Sequence, residues 1–169
     1  MKLLLACFAF LLLFAGCEQK KASKPQEFKS TDREVLLPLP DSLEYGKTYL
    51  PVYSHIYHVH EHRTYDLTVT VSIRNVSLAD TVYILHGDYY NTKGDKIREY
   101  FKKPVFVRPM ETIEIVIAED DIEGGSGANF VFDWAASNKK NPPLFEAVMI
   151  STYGEQGVSF LSRGVRIYE

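Results

Sequence analysis

Beyond Tyr49, apolar and polar residues alternate with a period of two. The stretch YDLTVTVSIR is the plainest: Tyr65, Leu67, Val69, Val71 and Ile73 share one parity, and Asp66, Thr68, Thr70, Ser72 and Arg74 the other. Successive side chains of a strand point to opposite faces, so this pattern predicts a half-buried strand with one wet face. TIEIVIA turns Ile113, Ile115 and Ile117 inward, and ANFVFDW does the same with Phe130, Phe132 and Trp134. LFEAVMIST and VSFLSRGVRIY read as further strands. The segments are rich in β-branched and aromatic residues, which suit a pleated, half-buried surface.

Turn-forming clusters fall between them: NVSLAD, NTKGD, VRPME, DDIEGGSG, NKKNPP and YGEQG. About eight strands are predicted, roughly 49–57, 65–74, 82–90, 97–108, 112–118, 128–134, 144–152 and 158–168. No long segment carries a helical stripe. Short strands at regular spacing, without intervening helices, predict an all-β fold, an antiparallel immunoglobulin-like β-sandwich of two sheets. LTVTVSIRNVS and VRPMETIEIVI resemble the strand-and-turn units of bacterial immunoglobulin-like domains.

The N-terminus has a different pattern. Lys2 precedes an unbroken apolar run from Leu3 to Phe14, of signal-peptide length and too short to span a bilayer. Ala15 and Gly16 then lead into Cys17. This resembles the lipobox of bacterial lipoproteins, with Phe14 where an aliphatic residue is more usual. The resemblance implies cleavage before Cys17 and lipidation of its thiol and new amino group. Residues 1–16 are then a lipoprotein signal peptide, 17–44 the lipidated N-terminus and linker, and 45–169 the sandwich domain. Glu18 to Glu34 is polar and nearly charge-balanced and is expected to be a flexible tether, with Lys20, Lys21 and Lys24 near the lipid. VLLPLP, Val35 to Pro40, is expected to dock as an edge or irregular segment.

Composition narrows the chemistry. The two cysteines are Cys7, lost with the signal, and Cys17, consumed as a thioether. Thiol catalysis, disulfides and cysteine-based zinc sites are therefore excluded from the mature chain, and stability must come from a core. A net charge of −3 lacks the basic face that nucleic acid requires.

Three clusters invite chemistry. SHIYHVHEHR holds His55, His58, His60 and His62. If extended, it would present His58, His60 and His62 on one side, as a zinc or copper chelate could use them. It also reads as the loop between two strands, which is the expectation here, with no metal and no cofactor. GGSGAN approaches a nucleophile elbow at Ser126, but Ala128 stands where the last glycine should be, and a strand follows instead of a helix. Gly124, Gly125 and Gly127 are expected to form a tight turn at positive φ. Glu119, Asp120, Asp121 and Glu123 lack the alternating ligands of a calcium loop and are expected to be solvated.

The stretches LPVYSHIY, RTYDLTVTVSIRN, GGSGANFVFDW, EAVMI and QGVSFLSRG, within residues 49–168, resemble an uncharacterised bacterial lipoprotein family, the domain of unknown function numbered 3124. The resemblance implies export and one compact domain, and no activity.

The combined expectation is a non-enzymatic binding or assembly module, lipid-anchored to the cell membrane or outer membrane and facing the periplasm or exterior. Glu18 after the cysteine weakly favours the outer membrane. Its partner would be an envelope protein, peptide, glycan or small ligand. The rival is a metal-handling protein or enzyme using the loop histidines. If each strand crosses the sandwich once, HVHEHR, NTKGDK, EDDIEGGSG and YGEQG share the end away from the tether. Binding is expected there, at Ser126, Asn129 and Gln156, with His58 and His60 at the rim. The parity would flip if Lys102 to Pro104 were a crossing loop.

Overall fold

The computed structural model describes residues 32–137, 141–152 and 157–168. Cys17, Gln156, the segment expected as a signal peptide (1–16) and residues 18–31 of the expected tether lie outside these residues. Among the described residues twelve strands form: β1 (Glu44–Pro51), β2 (His55–His58), β3 (His60–Asp66), β4 (Thr68–Arg74), β5 (Val82–Tyr90), β6 (Lys96–Glu99), β7 (Val105–Val107), β8 (Thr112–Ile117), β9 (Asn129–Ala136), β10 (Leu144–Ser151), β11 (Val158–Arg163) and β12 (Val165–Ile167). The larger sheet has the order β12-β1-β9-β5-β6, with β7 also on β5, and the smaller has β11-β10-β4-β8. All pairings are antiparallel. β4 pairs β8 in one sheet while β5 pairs β9 in the other, the interlocked pairing of an immunoglobulin-like sandwich.

The expected strands are present, but three are broken, a fourth (65–74) gives up Tyr65 and Asp66 to a separate strand, and that strand is new. The 49–57 segment starts earlier, at Glu44, and divides into β1 and β2 at the bend around Ser54. The 97–108 segment divides at Lys102–Pro104 into β6 and β7. Both halves lie along β5, so there is no crossing and the chain direction is kept. The 158–168 segment divides at Gly164, where the chain leaves the smaller sheet for the larger; a Cβ there would lie 2.7 Å from Thr48 and 3.0 Å from Phe145. The new strand is β3. HVHEHR, expected as a loop, forms the outer half of a β2–β3 hairpin that joins neither sheet, with its turn at Val59 (φ 67°).

The inward parities bury a continuous core. Leu67, Val69, Val71 and Ile73 are fully buried, as are, within a few per cent, Ile113, Ile115 and Ile117. A ladder of rings crosses between the sheets: Tyr89 on Phe130 (4.7 Å), Phe130 on Phe132 (5.2 Å) and Phe132 on Phe145 (4.8 Å). Such stacks add to the burial of large apolar area.

Register defines two ends. Glu44, Ala136, Val82 and Val107 lie level at one end, where Arg33 also pairs with Glu111 (2.9 Å) as the chain enters the domain. We call this the entry end. Pro51, Asn129 and Tyr90 lie level at the far end. Docking of the N-terminal segment starts earlier than expected: Val35 N–H donates to Pro104 O, and Phe106 N–H to Arg33 O, at the edge beside β7. Leu36 and Leu37 are exposed, and Leu39 is buried.

Candidate functional site

At the far end, the glycine segment forms a 3₁₀ turn, Gly125–Gly127. Only Gly125 takes positive φ (77°); Gly124 is needed because a Cβ there would lie 1.9 Å from the Tyr89 hydroxyl. Tyr89 and Ser54 share a buried hydrogen bond of 3.0 Å, and burial pushes the Tyr89 phenol up to about 12, against the Ser54 bond. Thr92 N–H and Oγ1 donate to Gly124 O, and Gly127 N–H donates to Thr92 Oγ1. The turn thus serves as a clasp between β2 and the β5–β6 turn, and its N–H at Gly127 is already engaged.

The acidic run is not simply solvated. Asp121 is almost buried and accepts from Arg98 (2.8 Å), which also donates to Glu123 (3.1 Å) and the Tyr100 hydroxyl (2.9 Å). Burial works against the Arg98 cation, but these hydrogen bonds outweigh it and raise its pKa. The run is therefore a strap tied to β6.

The histidines do not converge. His58 stacks on Tyr65 (3.8 Å, 9°), and the loss of water there, with the charges of Arg63 and His60, lowers its pKa. His60 Nδ1 accepts from His62 N–H, and the two rings lie 6.0 Å apart. Among the described residues no group of three or more His, Cys, Asp or Glu could hold a metal ion. His58 and His60 flank the hairpin tip, about 10 Å along the strands from the hairpin base that Ser126 adjoins. The structure therefore does not gather the expected residues into one pocket. Ser126 is half-buried within the clasp, and Asn129 opens β9.

A concave site lies instead on the outer face of the larger sheet. Ile167, Lys47, Asp133 and His86 sit directly opposite one another on β12, β1, β9 and β5, forming one row on one face. Lys47 Nζ is 3.6 Å from Asp133 Oδ1, and His86 Nδ1 is 3.8 Å from Glu99 Oε1. An extra residue, Leu85, bulges β5 between Ile84 and His86. Along the row and around the β12 edge of the sheet, a groove of about 350 Å³ is walled by Tyr45, Lys47, Leu85, His86, Asp133, Ile167 and Tyr168, and it reaches Gly46, Trp134 and Arg166 of the layer beneath. Tyr45 is half exposed, and Tyr49 and Tyr90 lie on the same face. So does Asn129, level with Tyr90.

The inner side of these strands holds the face rigid. Trp134 lies across Gly46 and donates its indole N–H to Thr48 Oγ1 (3.0 Å). Arg166 covers Trp134 at 5.1 Å and pairs with Glu44 at 2.8 Å. Sequence reasoning missed the groove, although ANFVFDW carried a signal. The parity opposite Phe130, Phe132 and Trp134 is Asn129, Val131 and Asp133, the outer face itself.

No curated protein matches the chain. A solved structure described as "Crystal Structure of Thermotoga maritima 1070" is similar at a TM-score of 0.43 and 10% identity, over 71% of this chain and 92% of that one. A family model described as "Protein of unknown function (DUF3124)" matches residues 45–167, the sandwich described above. The chain belongs to the DUF3124 family.

Proposed function

We propose that this chain is a membrane-anchored lipoprotein of the cell envelope, and that its sandwich is a non-enzymatic binding module holding a small polyhydroxylated ligand, one or two sugar rings, on the outer face of the larger sheet. The observation that carries the reading is the groove itself, with its tyrosines, its Lys47–Asp133 pair and His86 on rigid strands. Tyrosine rings offer apolar faces to sugar C–H groups, and a carboxylate beside an ammonium offers acceptors and donors to vicinal hydroxyls. The volume is at the small end for ligand pockets, which suits one or two rings. The anchor rests on Lys2, the Leu3–Phe14 run and Ala15-Gly16-Cys17.

Calorimetric titration of the mature protein with a panel of soluble mono- and disaccharides, with short peptides as controls, tests the site. Tyr45→Ala and Asp133→Ala should each weaken saccharide binding about tenfold, equivalent to about 1.4 kcal/mol. Absence of saccharide binding, or binding that survives both substitutions, overturns the groove as the site.

A further inference from the structure

At the entry end, the turns before β5 and before β8 carry three exposed apolar side chains: Val76 (43%), Leu78 (83%) and Met110 (65%). These turns are rigid. Asn75, itself buried, donates its amide to Asp80 O (2.8 Å) and Val107 O (2.9 Å) and accepts from Ser77 N–H. Ser77 Oγ accepts from Ala79 and Asp80 N–H. The turns are tied together where Met110 N–H donates to Ser77 O (3.1 Å) and Asn75 N–H to Glu111 O (2.9 Å). Met110 is held at φ 61°. Ser77 points inward between two outward neighbours, so Val76 and Leu78 are presented by a frame that is already ordered.

Singly exposed apolar residues are ordinary. These three share one end, and it is the end at which the chain arrives. Arg33 pairs with Glu111 in the same turn as Met110. Covalent geometry limits residues 17–31 to about 50 Å at full extension, so a lipid on Cys17 keeps the sandwich close to the bilayer, with the tether joined at this end, and contact at the tip must select the orientation. Arg33 pairs with Glu111 and Arg74 with Glu146, and Arg108 and Asp80 of the same turns are opposite in sign, so no net charge at this tip selects an anionic surface.

We infer that Val76, Leu78 and Met110 form an apolar tip that enters the interfacial layer of the anchoring membrane and seats the sandwich upright, its far end outward. The inference rests on the lipoprotein reading above. Apolar side chains of interfacial proteins enter about 5–10 Å into the headgroup and acyl boundary. An ordered tip loses little conformational entropy on doing so.

The test uses mature, full-length protein in phosphatidylcholine vesicles, with Leu78→Cys, Met110→Cys and Val59→Cys carrying an environment-sensitive fluorophore. Labels at 78 and 110 should shift to the blue, lose roughly half their intensity to brominated acyl chains, and resist aqueous iodide, all independently of salt. The label at 59, on the far hairpin, should behave oppositely. A mature chain whose mass shows no lipid on Cys17 overturns the lipoprotein reading and this inference with it. A lipidated chain whose three labels are equally open to iodide overturns the tip alone. Labels at 78 and 110 shielded from both quenchers place a protein surface there and also overturn it.

Discussion

Gly46 faces Trp134 across the β1–β9 pair, and a Cβ there would lie 2.2 Å from the indole ring. No rotation of a methyl group relieves that contact, and the ring is held by Thr48 on one side and covered by Arg166 on the other. Gly46→Ala should therefore destabilise the fold by about 1–3 kcal/mol, the range for overpacking a filled core. The lower urea midpoint should come with altered tryptophan emission, which reports one ring because the chain has one tryptophan. An unchanged midpoint would mean that the indole can move aside and that the groove floor is softer than described. The tyrosines outside this layer gain their precision from it: a face that recognises a ligand needs a backbone that does not shift.

At the scale of elements, the strap from Glu119 to Gly127 and strand β6 stand or fall together. Arg98 joins them through Asp121, Glu123 and Tyr100, with the Asp121 carboxylate almost fully enclosed. Removing one partner of an enclosed pair leaves a charge without compensation, which costs about 3 kcal/mol. Arg98→Ala should show that loss in equilibrium unfolding, with faster hydrogen exchange at Thr92, Gly125 and Gly127, whose amide hydrogen bonds close the clasp. A loss below about 0.5 kcal/mol would mark the pair as an ordinary surface ion pair. The β2–β3 hairpin depends on the same clasp, since Ser54 N–H donates to Gly125 O and Leu67 N–H to Ser54 O at its base. An unsupported two-stranded ribbon is marginal in water, so its ordered tip is a consequence of that base.

For the molecule as a whole, the entry of the chain should be sensitive to pH. Burial would raise the Glu111 pKa, but the Arg108 N–H and the Arg33 guanidinium outweigh it and hold the carboxyl below the usual range of a glutamate. A carboxylate depressed in the folded state contributes stability above its unfolded pKa and loses it as pH falls through the folded one. The melting-temperature advantage of the wild type over Glu111→Gln should thus be full at neutral pH and shrink below about pH 4.5. Amides of Val35 and Phe106, which fasten the N-terminal segment to the β7 edge, should exchange faster over the same interval. An advantage that is constant with pH would show that packing, and not charge, holds this segment.

Local alternation by itself determined the class of fold and the core. Whether Ile115 or Phe132 points inward depends on period-two geometry, which neighbouring residues carry in full. The tight turn at the glycines was legible in part: Gly125 takes the expected positive φ, whereas Gly124 and Gly127 do not, and close approach to Tyr89 is what requires Gly124. Parity along the chain also placed HVHEHR, NTKGDK and EDDIEGGSG at one end, as the register has them. It did not foresee the fate of those loops. The Arg98 strap and the Thr92 clasp use hydrogen bonds between residues tens of positions apart, and the hairpin, whose own pairs are local, is fastened at its base by such a bond from Ser54 to Gly125. The groove was beyond its reach for the same reason. Lys47, Asp133, His86 and Ile167 become one row only when β12, β1, β9 and β5 pair in a particular register, shifted by the bulge at Leu85. Burial is decided within a strand, where each residue's neighbours in sequence set its face. A binding surface is decided between strands, and only the tertiary structure chooses which strands are neighbours.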